Sequence, residues 1–166
     1  MTSPAPASPP GYVGRVADGS GALRNNLPSD VTRFVGRRRE IAAVRRLLGE
    51  SRLITLTGLG GTGKTRLALK VGAEVGRSFS DGVWFVDLAE VRDPEVLPHS
   101  VTQALGLHSQ AGRSPEQLLV DHLRDKRALL VVDNCEHLID ASAQLVNGLL
   151  QGCSSLHVLA TSREAL

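Results

Sequence analysis

Aromatic residues are scarce in this sequence, at 3% of 166 residues. With so few large rings available, the core must be built mainly from leucine, valine, isoleucine and alanine. Long apolar runs are missing as well, and none approaches the roughly 18 residues that a membrane-spanning helix needs. The N-terminus lacks the charged start and apolar stretch of a secretory signal. These absences argue against a membrane or secreted protein and favour one compact globular domain.

Cysteine is also rare, at two residues, Cys135 and Cys153. Two cysteines do not make a disulfide framework in a chain of this size, so a reducing, cytoplasmic location is expected. For Cys135, a buried spectator is favoured over a reactive thiol. The net charge of +2 shows no dominant sign, whereas a nucleic-acid-binding surface usually concentrates basic residues. No helix-turn-helix is recognisable, and we expect no direct contact with nucleic acid and none with a membrane.

The first 30 residues differ in composition from the rest of the chain. They are rich in proline, alanine, serine and glycine and carry no periodic apolar face. Such a segment cannot bury enough apolar surface to fold alone. The sequence therefore predicts a disordered leader over residues 1–30 and a folded domain over residues 31–166.

Short apolar runs with strand character alternate with segments of helical periodicity in the remainder. The predicted strands are 53–57, 83–88, 129–133 and 157–161. The predicted helices are 37–48, 64–75, 93–107, 114–123 and 138–150, with Pro98 expected to disturb the third. Alternation of this kind predicts crossover connections and an α/β fold with a mostly parallel sheet.

Residues 58–65 read GLGGTGKT and match the phosphate-loop pattern G-x-x-x-x-G-K-[ST] in full. The loop glycines are expected to adopt backbone angles that turn amide groups inward around a phosphate. Lys64 supplies a positive charge for the β- and γ-phosphates, and the Thr65 hydroxyl is a hard oxygen ligand for Mg²⁺. The alternative is a glycine-rich turn before an ordinary helix. The predicted nucleotide-binding residues here are Gly58, Gly60, Gly61, Thr62, Gly63, Lys64, Thr65 and Arg66.

A buried strand that ends in Asp133 is the expected partner of this loop. The carboxyl ends of parallel strands meet at one edge of the sheet, so Asp133 is predicted to lie beside the loop and to hold Mg²⁺ with Thr65. A carboxylate that only caps the next turn is the alternative. The next residue is Asn134, and an amide cannot accept a proton as a carboxylate can. Hydrolysis is therefore expected to be slow, unless Glu136 takes the role of the base.

With these residues placed, the chain resembles the nucleotide-binding domain of STAND signal-transduction ATPases. It most resembles that of bacterial LuxR-type and related transcriptional regulators, which are akin to NB-ARC domains. The resemblance covers about residues 25–166. Besides the phosphate loop, it is carried in family order by NLP at 26–28, FVGR at 34–37, REI at 39–41, DGVWFVDL at 81–88, LLVVDNCEH at 129–137 and ATSRE at 160–164.

This resemblance implies further site residues. Val35, Gly36 and Arg37 would lie against the adenine and ribose. Residues 161–163 match a sensor at the end of a strand, where Arg163 would contact the γ-phosphate, although from sequence alone Arg163 could equally be a surface residue. No Asn-Lys-x-Asp segment for reading guanine is present. ATP or ADP with Mg²⁺ is therefore the expected ligand set.

The resemblance also implies a three-layer P-loop fold in which the four strands lie in the order 1-4-3-2. Family members continue past the sensor with a further strand, a helical and winged-helix region and often an effector domain. Residues 31–166 are thus expected to be a partial domain, truncated after its fourth strand. Regulatory domains or self-association partners would lie outside this chain.

The function expected from these features is an ATP/ADP-dependent switch in a signalling or transcriptional regulator, with slow hydrolysis. Two alternatives remain open at this point. One is an actively hydrolysing P-loop ATPase, with the same expected catalytic residues as the slow switch, Lys64, Glu136 and Arg163. The other is a truncated fragment without function.

Overall fold

The computed structural model describes residues 24–28 and 36–166, and these residues form a four-stranded sheet with helices on both faces. The strands are β1 (Leu53–Thr57), β2 (Val83–Asp87), β3 (Leu129–Asp133) and β4 (His157–Ser162). They lie in the order β1-β4-β3-β2, and every neighbouring pair is parallel. The predicted α/β class, parallel sheet and strand order are confirmed.

Helices cover the two faces of this sheet unequally. They are α1 (Arg38–Glu50), α2 (Lys64–Val75), α3 (Leu97–Ala104), α4 (Pro115–Leu123) and α5 (Ile139–Gly152). Helices α1 and α2 pack on one face, and α3, α4 and α5 pack on the other. The described part of the chain is therefore a three-layer α/β/α sandwich. None of its helices is long and apolar enough to cross a membrane.

Strand β3 shows why the apolar runs are continuous rather than alternating. All five of its residues are buried. Leu129 and Val131 face the cluster under α1 and α2, whereas Leu130 and Val132 face the cluster under α3, α4 and α5. A strand that is covered on both faces needs apolar side chains at every position, as parallel sheets do in general.

The predicted helix over 93–107 is shorter in the structure. A 3₁₀ turn occupies Pro94–Val96, and α3 then begins at Leu97. Pro98 therefore stands in the first turn of α3, where a missing N–H removes no bond within the helix. It helps to start the helix and does not disturb it. Helix α4 begins as its sequence suggested, with a capping box between Ser114 and Gln117.

Residues 24–28, which the composition placed in the leader, pack against the outer edge of β2. The amide of Val83 donates to the carbonyl of Arg24 at 3.0 Å. The side chain of Asn26 accepts from the amide of Phe85 at 2.6 Å and donates to the carbonyl of Phe85 at 2.9 Å. It also donates to the carbonyl of Ala104 at 3.3 Å. This short segment thus extends the sheet and ties α3 to β2.

Candidate nucleotide-binding site

The predicted phosphate loop connects the end of β1 to the start of α2. Gly61 and Gly63 have φ angles of 77° and 81°, in the left-handed region that favours glycine. Gly63 also caps α2, so the free N–H groups of the first helical turn face the loop. Gly58 also has a positive φ, of 152°, whereas Gly60 does not. A Cβ on Gly60 would instead lie 3.9 Å from the guanidinium of Arg163, an ordinary contact distance.

Lys64 closes the loop from its C-terminal end. Its Nζ donates to the carbonyl of Gly58 at 2.7 Å and to the carbonyl of Leu59 at 3.0 Å. The Thr62 hydroxyl donates to the carbonyl of Leu59 at 2.8 Å. The two bonds of Lys64 hold its ammonium group at the rim of the loop. An anion in the loop would therefore meet a full positive charge as well as the positive end of α2.

The two predicted magnesium ligands are brought together in the structure. The Thr65 hydroxyl lies 2.9 Å from Oδ1 and 2.8 Å from Oδ2 of Asp133, although 68 residues separate them in sequence. Since a hydroxyl carries one proton, it donates to one of the two oxygens at a time. The contact places a hydroxyl oxygen and a carboxylate at the start of α2, where a phosphate-bound cation would sit.

Asp133 is a buried carboxylate, only 1% exposed. Besides Thr65, two further groups donate to this carboxylate. The hydroxyl of Thr161 donates to Oδ1, and the side-chain Nδ2 of Asn134 donates to Oδ2 at 3.1 Å. Burial raises the pKa of Asp133 above its ordinary value, although the hydrogen bonds from Thr161 and Thr65 act in the opposite direction. A buried carboxylate that is surrounded by hydrogen-bond donors is suited to bind a divalent cation. The cation would replace the favourable interaction with water that the negative charge loses on burial.

Asn134 has an unusual backbone and a structural side chain. Its φ of 62° lies in the left-handed region, which asparagine tolerates better than most residues. Its Nδ2 joins Asp133 to Asp87 at the end of β2, with a distance of 2.9 Å to Oδ1 of Asp87. Sequence reasoning missed Asp87 as part of this network. The signal was its place at the carboxyl end of a predicted parallel strand, the same position that singled out Asp133.

The predicted base and the predicted sensor form an ion pair. Arg163 Nε lies 3.5 Å from Oε1 of Glu136. The other oxygen of Glu136, Oε2, is buried and has no hydrogen-bond partner among the described residues. Arg163 is two-thirds exposed at its side chain. The structure thus places both residues near the loop.

Arg37 contacts the phosphate loop directly. Its Nη2 donates to the carbonyl of Thr62, and a Cβ on Gly63 would lie 3.9 Å from the same nitrogen. Gly36, with a φ of 102°, turns the chain just before α1. Val35 lies outside the described residues. Arg66 is exposed in the first turn of α2.

Cys135 follows this network in sequence but is chemically quiet. It is fully buried. Burial raises the pKa of its thiol to about 12. A thiol that stays protonated is a poor nucleophile, so the favoured spectator role fits the structure.

The donor set fits a phosphate-bound Mg²⁺. Among the described residues, no group of three or more His, Cys, Asp or Glu side chains is arranged to hold a metal on its own. Mg²⁺ at nucleotide sites does not need such a group, because it usually takes one or two protein oxygens and completes its shell with phosphate oxygens and water. Thr65 and Asp133 are placed where they would supply those protein oxygens.

Comparisons with known proteins identify the family of this chain. The family model described as AAA domain matches residues 45–164. An uncharacterized protein of Mycobacterium tuberculosis is 48% identical over 145 residues, which cover 87% of this chain and 37% of that protein. A protein of the same organism named "Putative HTH-type transcriptional regulator" is 45% identical over 123 residues, which cover 74% of this chain and 14% of the relative. The chain thus spans well under half the length of these relatives.

Solved structures show the same fold. The crystal structure of Cdc6p from Pyrobaculum aerophilum aligns with a TM-score of 0.59 at 22% identity, over 82% of this chain and 41% of that one. The ORC2 protein of Aeropyrum pernix, whose structure is of ADPNP and ADP complexes, aligns with a TM-score of 0.59 at 15% identity, over 78% of this chain and 41% of that one. At such identities the likeness concerns the fold alone. The family match over residues 45–164 shows that the chain belongs to the AAA domain family of P-loop NTPases.

Proposed function

We propose that this domain binds ATP and ADP with Mg²⁺ and acts as a slowly hydrolysing switch within a larger regulator. The observation that carries the proposal is the contact between Thr65 and Asp133, at 2.8 and 2.9 Å, at the start of α2. A hydroxyl and a buried carboxylate converge there beside a glycine loop and an ammonium. This combination serves a phosphate-bound cation better than any structural purpose we can assign to it.

Each part of the site has a distinct role in this proposal. The glycine loop of residues 58–63 and the start of α2 bind the phosphates, and Lys64 adds its charge. Thr65 and Asp133 hold Mg²⁺, which when bound neutralises charge on the phosphate oxygens. Arg37 braces the loop through the carbonyl of Thr62.

Slow hydrolysis is proposed from the side chains around Asp133. The Nδ2 of Asn134 is engaged by Asp133 and Asp87, and an amide is no general base. Glu136 is paired with Arg163 at 3.5 Å, so one of its oxygens is already held by the guanidinium. The γ-phosphate of ATP would compete with Glu136 for Arg163, because guanidinium groups match phosphate geometry.

One observation favours the alternative of an active ATPase. The Oε2 atom of Glu136 is buried and has no hydrogen-bond partner within residues 24–28 and 36–166, and such an oxygen is suited to accept a hydrogen bond from a water molecule. If Arg163 turns to the γ-phosphate, Glu136 becomes free to act as a base. The two candidate functions therefore differ in rate and share the same binding site.

The assignment to a STAND or NB-ARC-like transcriptional regulator is part of the proposal. It is supported by the segments quoted above and by the relative that is named as a regulator. Adenine is the proposed base because the chain has no Asn-Lys-x-Asp segment. Partner domains and self-association would depend on parts of a longer protein.

Calorimetry and steady-state phosphate release on the same preparation test the proposal. We expect binding of Mg-ATP and Mg-ADP, with turnover below about 0.01 per second, in the range of switch NTPases that lack an activating partner. E136Q should lower the residual turnover and leave the affinity for Mg-ATP nearly unchanged. Turnover of tens per second would favour the active ATPase, and the lack of binding to either nucleotide would end both proposals.

A further inference from the structure

The hydroxyl of Thr161 has a position that the proposed nucleotide contacts do not explain. It donates to Oδ1 of Asp133 and accepts from the backbone amide of Asn134 at 3.1 Å. Thr161 is 1% exposed, so water cannot substitute for either bond. The Thr161 hydroxyl thus donates its one proton to the Asp133 carboxylate, and its oxygen accepts a hydrogen bond from the backbone N–H of Asn134.

The pairing of β3 with β4 determines the position of the Thr161 hydroxyl. The last registered pair of β3 and β4 joins Val132 to Ala160. The next residues along the two strands are Asp133 and Thr161, which therefore stand side by side at the carboxyl edge. Their hydrogen bond spans 28 positions in sequence. It forms only when β3 and β4 are paired in this register.

The carboxylate of Asp133 is held from both sides. Thr65 contacts both of its oxygens from α2, Asn134 contacts Oδ2, and Thr161 contacts Oδ1 from β4. When a cation takes the Thr65 oxygen as a ligand, the Thr65 proton must turn away from the face where the cation binds. The bonds from Thr161 and Asn134 then remain to orient the carboxylate.

We propose that Thr161 is a positioning residue for Mg²⁺, which acts by fixing the rotation of the Asp133 carboxylate from strand β4. The inference rests on the proposed function and deepens it. Residues that hydrogen-bond a metal ligand from behind typically change metal affinity by about 10–100-fold when they are removed. Arg163 follows Ser162, the last residue of β4, so the side chain that would sense the γ-phosphate lies two positions after the hydroxyl that orients the metal ligand.

The quantity that isolates this role is the gain in ADP affinity produced by Mg²⁺. It is the ratio of the dissociation constant in EDTA to that in excess MgCl₂, measured by calorimetry. T161V removes the hydroxyl and keeps the shape of the side chain, whereas T161S keeps the hydroxyl. T102V is the matched control, because Thr102 is also buried and its hydroxyl donates at 2.7 Å to the carbonyl of His99 in α3. Thermal unfolding of the nucleotide-free proteins accompanies each measurement.

We expect T161V to lower the Mg²⁺-dependent gain about tenfold while its affinity in EDTA stays near that of the wild type. T161S and T102V should keep the wild-type ratio. An unchanged ratio in T161V, or an equal loss with and without Mg²⁺, overturns the proposal. If T161V does not fold, T161A is measured in its place and judged by the same ratio. A wild-type protein that binds ADP without any gain from Mg²⁺ would instead refute the magnesium site itself, and the inference would fall with it.

Discussion

Lys64 is the only charged side chain within the phosphate loop, residues 58–65. K64A should weaken binding of Mg-ATP by about 10- to 100-fold, since hydrogen bonds to charged groups contribute about 1.5–3 kcal/mol each. Calorimetry measures the loss directly. The control is K70A on the same helix. Lys70 lies outside the phosphate loop, and its Nζ is 3.6 Å from Oε1 of Glu74. Equal affinities of K64A and K70A would show that the phosphates bind elsewhere.

Asp133 links metal binding to stability. Burial raises its pKa in the folded protein. Between the unfolded and folded pKa values, the folded state therefore binds more protons than the unfolded chain. The free energy of unfolding of the protein therefore falls as the pH rises through that interval, and it stays lower at higher pH. A site that prepares a carboxylate for a cation thus costs stability as long as the cation is absent.

D133N should remove this pH dependence, because an amide does not ionise. We expect the stability of nucleotide-free D133N, relative to the wild type, to increase as the pH rises through the interval and then to level off. Urea unfolding over a pH series measures the difference. The exposed carboxylate of Asp121 on α4 provides the control, D121N. A difference that stays constant with pH would mean that the charge of Asp133 is not destabilising.

The segment of residues 24–28 acts at the scale of secondary structure elements. One side chain, Asn26, satisfies both backbone groups of Phe85 on the open side of β2 and reaches α3 at Ala104. It takes the place that a neighbouring strand would fill. Residues close to the N-terminus therefore secure the edge of the sheet farthest from β1.

N26A should lower the free energy of unfolding by about 1–3 kcal/mol, because partly buried backbone groups of β2 lose their partner. Chemical denaturation measures the change. N147A is the control, since Asn147 is exposed on α5 and its side chain accepts a hydrogen bond from Gln151 at 3.4 Å. If N26A and N147A unfold at the same denaturant concentration, the contacts of Asn26 contribute nothing measurable.

For the whole molecule, nucleotide binding and stability are linked by mass action. Mg-ATP at 100 times its dissociation constant should raise the free energy of unfolding by about 2.7 kcal/mol, if it binds only the folded state. Thermal unfolding with Mg-ATP, Mg-ADP and Mg-GTP measures this and tests the preference for adenine. K64A at the same concentrations is the control. The absence of any stabilisation by Mg-ATP would favour a fragment without nucleotide-dependent function.

Much of the architecture could be predicted because its signals are local. The run LLVVD at 129–133 is apolar at each position before its terminal acid, and both ends of β3 match the prediction. The motif GKT at 63–65 marked the start of α2, and that helix has the predicted bounds, Lys64–Val75. The third helix was harder to predict, since a proline in a helical pattern can either break a helix or stand in its first turn, and Pro98 lies in the first turn of α3.

Several partners of the site could not be predicted from patterns along the chain. Thr161 reaches Asp133 only because β4 lies between β1 and β3. Asp87 joins the network through Asn134, whose backbone adopts a conformation that is rare for residues other than glycine. Arg37 was expected at the base and sugar, and in the structure it contacts the carbonyl of Thr62 in the loop.

The chain alone was enough to predict the phosphate loop, the candidate metal-binding carboxylate beside it and the alternation of strands and helices, because motifs and apolar periodicity are properties of neighbouring residues. The orientation of that carboxylate, its link to β4 and the use of Asn26 to close the edge of β2 arose from the folded arrangement. These features depend on which strands become neighbours and in what register. Contacts between residues tens of positions apart leave no periodic trace in the sequence, since they are set by packing of the whole sheet.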